Sequence, residues 1–214
     1  MIIEFYKYQG TGNDFIIIDD RDNSFNTSDS LLIKSLCERK MGIGADGLIL
    51  LRNHDTYDFR MIYFNSDGLE STLCGNGARC IVAFAYLLEI TKEKSSFIAI
   101  DGLHDANISD DEVSIKFKDI LKINSDNDCF IIDSGSPHLI KTVSNINDVD
   151  VDVEGSKIRN SNKFKSEGIN VNFIEYNDIL KIRTYERGVE SETLSCGTGA
   201  VASAIAIHHS GIVD

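Results

Sequence analysis

Two cysteines in this chain sit in nearly the same local sequence. Cys74 opens "CGNGA" and Cys196 opens "CGTGA", 122 positions later. In each, a thiol precedes two glycines that straddle one polar residue, and an apolar run with helical spacing follows. After Cys74, residues Ile81, Phe84, Ala85 and Leu88 recur at i, i+3, i+4 and i+7; after Cys196 the corresponding stripe is Val201, Ala204 and Ile205. A cysteine at the start of a helix faces backbone N–H groups that have no intrahelical partner, together with the positive end of the helix dipole. Both favour the thiolate, and thiols so placed titrate at roughly 3.5 to 7.5 instead of about 8.5. Such a sulfur is a competent base near neutral pH. Gly75, Gly77, Gly197 and Gly199 let a ligand approach the same N–H groups, which can also hold a carboxylate.

These thiols must be positioned by a strand-rich framework. Short apolar, β-branched runs recur between turn signals: "FIIIDD", "GLILL", "FRMIYFN", "SFIAI", "VSIKF", "CFIID", "NFIEY" and "LKIRTYE". A helix is expected over "SDSLLIKSLCERK", capped by Ser28 or Asp29. The two helices behind the cysteines are apolar on more than one side, so each is expected to run through the middle of a curved sheet.

The halves of the chain echo one another. "GTGNDFII" from Gly10 resembles "GSPHLI" from Gly135, and "MGIGADGLI" from Met41 resembles "EGINVNFI" from Glu167, at offsets of 125 and 126 against 122 for the cysteines. Three matches in one order at nearly one offset indicate a duplicated unit. The expected fold is α+β: two similar domains, residues 1–118 and 119–214, each a curved, mostly antiparallel sheet or open barrel around a central apolar helix. If a pseudo-twofold axis relates them, the two sulfurs can flank one substrate. One thiolate then takes a proton from one face of a carbon while the opposing thiol delivers another to the other face.

Composition narrows the classes. Hydrophobic residues make up 42% and charged residues 26%, as in a globular protein. A formal charge of −13 repels phosphate backbones and anionic membranes, which argues against nucleic acid or membrane as partner and leaves a small molecule. The N-terminus lacks a basic stretch followed by a long apolar run, and no window approaches the roughly 18 apolar residues of a span, so the chain reads as cytoplasmic. Five cysteines at scattered spacings fit reduced thiols and no zinc site. Cys37, Cys80 and Cys129 read as packing residues, and His104, His208 and His209 receive no role.

From "YKYQGTGNDFIIID" through "GIGADGL", "YFNSDGLESTLCGNGARC", "SGSPHL" and "GINVNF" to "IRTYERGVESETLSCGTGA", nearly the whole chain resembles diaminopimelate epimerase. The resemblance implies a cofactor-independent enzyme, without pyridoxal phosphate or metal, that interconverts LL- and meso-2,6-diaminopimelate in lysine and peptidoglycan precursor synthesis. It implies Cys74 and Cys196 as the two bases, with the α-carboxylate held by backbone at Gly75 and Asn76 and at Gly197 and Thr198. Asn13, Asn65 and Asn170 match amides that hold substrate, and Glu186 and Arg187 match the pair that reads the distal ammonium and carboxylate. His138 and Glu186 match residues that tune the thiols. A homodimer is implied as well. Gly47 and Ser136 depart from the pattern, where some relatives have Gln and Asn. Family members also continue through further strands, so the resemblance implies a second domain that is incomplete at its C-terminal end. The rival readings are a racemase for another amino acid, a silent amino-acid-binding protein and a thiol pair that cycles through a disulfide.

Overall fold

A computed structural model describes residues 2–71, 73–110, 112–117, 119–126 and 129–213. The chain divides into two compact units, residues 1–116 and 117–214. The boundary expected from the sequence falls on Lys118, outside the described residues.

The first unit contains β1 (Tyr6–Gly10), β2 (Asn13–Asp19), α1 (Ser30–Cys37), β3 (Gly47–Arg52), β4 (Phe59–Asn65), α2 (Gly75–Leu87), β5 (Lys94–Ala99), β6 (Gly102–Ser109) and β7 (Glu112–Ile115). Its seven strands lie side by side in chain order, with β2–β3 and β4–β5 parallel and the remaining pairs antiparallel. The β1–β2 hairpin turns through Thr11 and Gly12, both at positive φ, as a tight two-residue turn requires. Helix α2 packs on both edge strands, β1 and β7, as well as on β2, β3, β4 and β6, so the sheet curls around it.

The continuous apolar runs of β2 and β3 follow from burial on both faces. Phe15, Ile17, Ile49 and Leu51 point inward to Ile81, Phe84 and Ala85 of α2, while Ile16, Ile18, Leu48 and Leu50 pack on the other face with Ile33 and Cys37 of α1. Each such side chain contributes about 1.5–3 kcal/mol relative to exposure. Helix α1 begins where expected, with the Asp29 carboxylate accepting from Leu32 N–H at 2.9 Å.

The second unit contains β8 (Ile123–Asp126), β9 (Cys129–Asp133), β10 (Pro137–Thr142), a 3-10 turn (Ile146–Asp148), α3 (Val151–Arg159), β11 (Asn170–Asn177), β12 (Ile179–Glu186), β13 (Ser191–Thr193) and α4 (Gly197–His209). The strand order is β13-β12-β11-β10-β9-β8, and among the described residues β10–β11, bridged by α3, is its one parallel pair. Leu139, Val171, Phe173 and Tyr185 pack with Val151 of α3 on one face; Ile132, Ile140 and Ile174 pack with α4 on the other.

Helix α4 corrects one expectation. Its buried residues are Gly199, Ala202, Ser203, Ala206 and Ile207, whereas Ala204 is exposed and Val201 and Ile205 are half-buried. The helix is apolar nearly all round, so hydropathy alone does not select a face. The small residues Gly199, Ala202, Ser203 and Ala206 select it by letting the helix approach the sheet closely. No helix among the described residues is long and apolar enough to cross a membrane.

Candidate active site

Each candidate thiol stands at the N-cap of its helix in extended backbone geometry, Cys74 at φ −92° before α2 and Cys196 at φ −127° before α4. The first intrahelical bonds run from Ala78 N–H to the Cys74 carbonyl at 2.7 Å and from Ala200 N–H to the Cys196 carbonyl at 2.9 Å. The N–H groups of Gly75, Asn76 and Gly77, and of Gly197, Thr198 and Gly199, therefore have no acceptor within their own helix. Packing requires glycine at position 199 and leaves little room at position 77. A Cβ on Gly199 would stand 2.4 Å from Asn172 Oδ1 and 3.3 Å from Cys196 Sγ; a Cβ on Gly77 would meet Ile49 Cδ1 at 3.0 Å.

In the first unit Asn13, the first residue of β2, lies against the start of α2. Its Oδ1 accepts from Cys74 Sγ at 3.5 Å and from Asn76 Nδ2 at 3.3 Å, while its Nδ2 donates to Asp46 Oδ2 at 2.8 Å. The carboxylate only accepts, so it fixes which end of the Asn13 amide faces the thiol. Asp46 is held in turn by Arg39 at 2.6 Å, and Arg39 also grips Asp14, which Lys7 pairs at 2.7 Å. Burial works against the Asp14 carboxylate, yet Arg39 and Lys7 prevail and hold it well below the ordinary carboxylate range. Buried Asn76 accepts from Arg79 at 2.7 Å. Asn65 closes β4 opposite Gly47, with its backbone engaged in the turn through Leu69 and Gly68. At Gly47 a Cβ would stand 2.6 Å from both the Phe64 carbonyl oxygen and the Tyr63 ring, so the backbone and Tyr63 fill the space a side chain would need.

In the second unit the site residues converge on Cys196. His138 on β10 is fully buried, with Nε2 2.8 Å from Thr198 Oγ1 and Nδ1 2.9 Å from Asn172 Nδ2. Burial, against the Asn172 contact and with the help of Arg187, lowers its pKa to about 3, so the ring is neutral at physiological pH. Thr198 Oγ1 is 3.4 Å from Cys196 Sγ, and its carbonyl accepts from Ser134 Oγ at 2.7 Å. Asn170 spends its amide on the scaffold: Nδ2 donates to Ser136 Oγ at 2.9 Å and the Pro137 carbonyl at 3.2 Å, and Oδ1 accepts from Arg187 N–H at 2.8 Å. Strand β12 ends at Glu186 and a turn begins at Arg187, with Gly188 at φ +90°, so the two side chains are freed from strand alternation. The Arg187 guanidinium donates to the Glu167 carbonyl at 3.0 Å and to Ser136 Oγ at 3.4 Å.

The thiol pKa departs from expectation here. Burial, and after it the Glu186 carboxylate, push Cys196 above its ordinary value; the Thr198 hydroxyl and the Gly199 and Thr198 N–H groups oppose this without prevailing. Desolvation of the buried sulfur outweighs these donors. Cys37 and Cys80 behave as packing residues, pushed up by burial to about 11 and about 12. Buried His104 bonds to Asp101 at 3.0 Å and stacks on Phe97, a structural role.

Four residues escaped the sequence reading: Asp46, Ser134, Asn172 and Thr184 of β12, whose hydroxyl donates to Asn172 Oδ1 at 2.9 Å. The strand alternation could have exposed Asn172, since it shares a face of β11 with Asn170 in an otherwise apolar run. Among the described residues no group of three or more His, Cys, Asp or Glu could hold a metal ion.

Comparison with known proteins bears on this arrangement. The sequence model of the family described as diaminopimelate epimerase matches residues 5–118 and 130–214. A diaminopimelate epimerase of Flavobacterium psychrophilum is 51% identical over 212 residues, covering 98% of this chain and 83% of the relative. That of Chlorobaculum tepidum is 46% identical, covering 92% and 80%. Among solved structures, a PhzF-family phenazine biosynthesis protein of Bacillus anthracis superposes with a TM-score of 0.70 at 16% identity, covering 96% of this chain and 79% of that one. A probable proline racemase of Agrobacterium radiobacter gives 0.68 at 13%, covering 100% and 79%. These two likenesses concern the fold alone.

Proposed function

The chain belongs to the diaminopimelate epimerase family, and on that premise we propose that it interconverts LL- and meso-2,6-diaminopimelate by proton transfer between Cys74 and Cys196. The observation that carries this reading is the pair of cysteines at matched helix starts, each beside backbone N–H groups without a helical acceptor.

In one direction a thiolate at Cys74 removes the α-proton: the C–H bond breaks, an S–H bond forms, and the electron pair moves onto the α-carbon and into its carboxylate. The Cys196 S–H bond then breaks and a new C–H bond forms on the opposite face. The reverse reaction starts from the thiolate that this leaves on Cys196, with the Cys74 S–H as the acid. Gly75 and Asn76, with Gly197 and Thr198, offer N–H groups to the carboxylate, where carbanion charge accumulates. Glu186 and Arg187 meet the distal ammonium and carboxylate, with Asn13, Asn65 and Asn170 lining the site. The resting thiol at Cys196 suits the acid, and the donors around it favour the thiolate that it becomes.

The reaction runs without pyridoxal phosphate, in the cytoplasm, on a homodimer, and feeds lysine and peptidoglycan precursor synthesis. Incubation of the purified protein with LL-diaminopimelate in heavy water, without pyridoxal phosphate, tests it. Deuterium should enter the α-position as the meso isomer forms, and Cys74→Ala or Cys196→Ala should each abolish epimerisation. Turnover that survives loss of either thiol would refute the two-base scheme.

A further inference from the structure

Asn172 is fully buried on β11 and belongs to no substrate contact described above. Its Oδ1 accepts from Thr184 Oγ1 at 2.9 Å, and its Nδ2 reaches the Leu139 carbonyl at 3.3 Å and His138 Nδ1 at 2.9 Å. A backbone carbonyl only accepts, so the amide nitrogen must lie on the Leu139 side, and His138 Nδ1 therefore receives a hydrogen bond. The ring proton of neutral His138 is then on Nε2, pointing at Thr198 Oγ1, 2.8 Å away.

Asn170 Nδ2, 3.5 Å from the same Nε2, does not compete, because its two hydrogens go to nearer oxygens on Ser136 and Pro137. Having accepted from His138, the Thr198 hydroxyl turns its own proton to Cys196 Sγ, 3.4 Å away. With the other tautomer, an N–H on Nδ1 would face the Asn172 N–H and Nε2 would draw the Thr198 proton away from the sulfur.

We propose that Asn172 is a positioning residue for Cys196: it fixes the Nε2-protonated tautomer of His138, which makes the Thr198 hydroxyl a donor to the sulfur whenever that sulfur is ionised. The role of this relay in turnover rests on the two-cysteine reading, but its geometry does not. The charged and titratable groups that face the cluster are Glu186 and Arg187 at the end of β12 and His138 itself on β10. Glu186 opposes the thiolate, and Arg187 together with burial keeps His138 uncharged. The relay is thus a counterweight to Glu186, supplied by side chains of β10, β11 and the first turn of α4 and not by the helix dipole.

Two measurements on the full chain decide this without an epimerase assay, so a failed activity test and a failed relay are distinguishable. Nitrogen-15 NMR of histidine-labelled protein should show His138 as one neutral species protonated at Nε2 from pH 5 to 9. Alkylation of Cys196 against pH, read by peptide mass spectrometry, gives its titration midpoint. Thr198→Val should raise that midpoint by about one unit, a roughly tenfold loss of thiolate below it, whereas Thr198→Ser should keep it near the parent value. Asn172→Leu should mix the tautomers and raise the midpoint in the same direction. An Nδ1-protonated or doubly protonated ring in the parent protein, or an unmoved midpoint in Thr198→Val, would overturn the proposal. If Asn172→Leu fails to fold, the parent spectrum and the Thr198 pair still decide.

Discussion

The two glycines at the third helical position of the cysteine motifs should respond differently to the same added methyl group. In Gly199→Ala the new Cβ would stand 2.4 Å from Asn172 Oδ1, about an ångström short of ordinary contact, and 3.3 Å from Cys196 Sγ. Asn172 cannot yield, since it is fully buried and tied to His138, Leu139 and Thr184. The start of α4 must move instead. Overpacking of this kind costs about 1–3 kcal/mol, and the better helix propensity of Ala returns at most ~1 kcal/mol.

In Gly77→Ala the methyl meets Ile49 Cδ1 at 3.0 Å and Phe15 ring carbons at 3.5 Å, and the end of an isoleucine side chain can rotate away. There the propensity gain and the steric cost nearly cancel. A net difference of ~1.5 kcal/mol corresponds to a Tm gap of roughly 3–6 °C for a chain of this length. Displacement of Cys196 by about an ångström should also slow α-hydrogen exchange by ~100-fold. Thermal melts of both variants, with exchange in heavy water, measure this. Gly77→Ala melting no higher than Gly199→Ala, or Gly199→Ala within 1 °C of the parent, would refute the packing account of the motif.

Other perturbations give equally definite expectations. Asp20 is fully buried and paired with Arg52 at 2.6 Å, so Arg52→Met, which strands the carboxylate, should cost about 3 kcal/mol or more in urea titrations. His138 is held by burial at about 3 when folded, against about 6.5 unfolded, so below pH 6.5 the unfolded chain binds a proton that the folded chain refuses. The stability associated with its neutral burial is therefore complete above pH 6.5 and falls toward pH 3 by up to about 1.4 kcal/mol per unit; His138→Gln should flatten that slope between pH 4.5 and 6.5. Iodoacetamide at pH 8 should modify Cys37 and Cys80 far more slowly than Cys74, because burial pushes the first two thiols to about 11 and about 12.

The parts of the fold legible in the sequence were those in which one local signal sufficed. Asp29 capping α1, the doubly buried runs of β2 and β3, and the helix starts at Gly75 and Gly197 all rest on short-range chemistry. Helix α3 went unread because "VDVEGSKIR" is polar and contains Gly155, a poor helix former that is required because a Cβ there would lie 2.4 Å from Tyr185. The buried face of α4 was misread for the opposite reason, since an all-apolar helix has no contrast from which to read a face. The residues that orient the candidate site, Asp46, Ser134, Asn172 and Thr184, act through hydrogen bonds to partners 12 to 64 positions away in the chain. No local pattern encodes such partners.

The lowered thiol pKa also failed at Cys196 for a reason that separates the motif from its surroundings. The pentapeptide supplies the same N–H groups at both helix starts, but a helix dipole acting alone stabilises charge by only about 1 kcal/mol, less than the desolvation of a buried sulfur removes. The proton on Cys196 is therefore decided by the groups around the sulfur and not by the helix dipole alone. At Cys74 the Asn13 Oδ1, turned toward the sulfur by Asp46, accepts from the thiol at 3.5 Å. At Cys196 the Thr198 hydroxyl, backed by His138, can donate and so opposes Glu186 and burial, without outweighing them. The two copies of the motif thus meet unlike partners: at Cys74 the Asn13 amide held by Asp46, and at Cys196 the motif's own Thr198, which His138 of the second sheet backs.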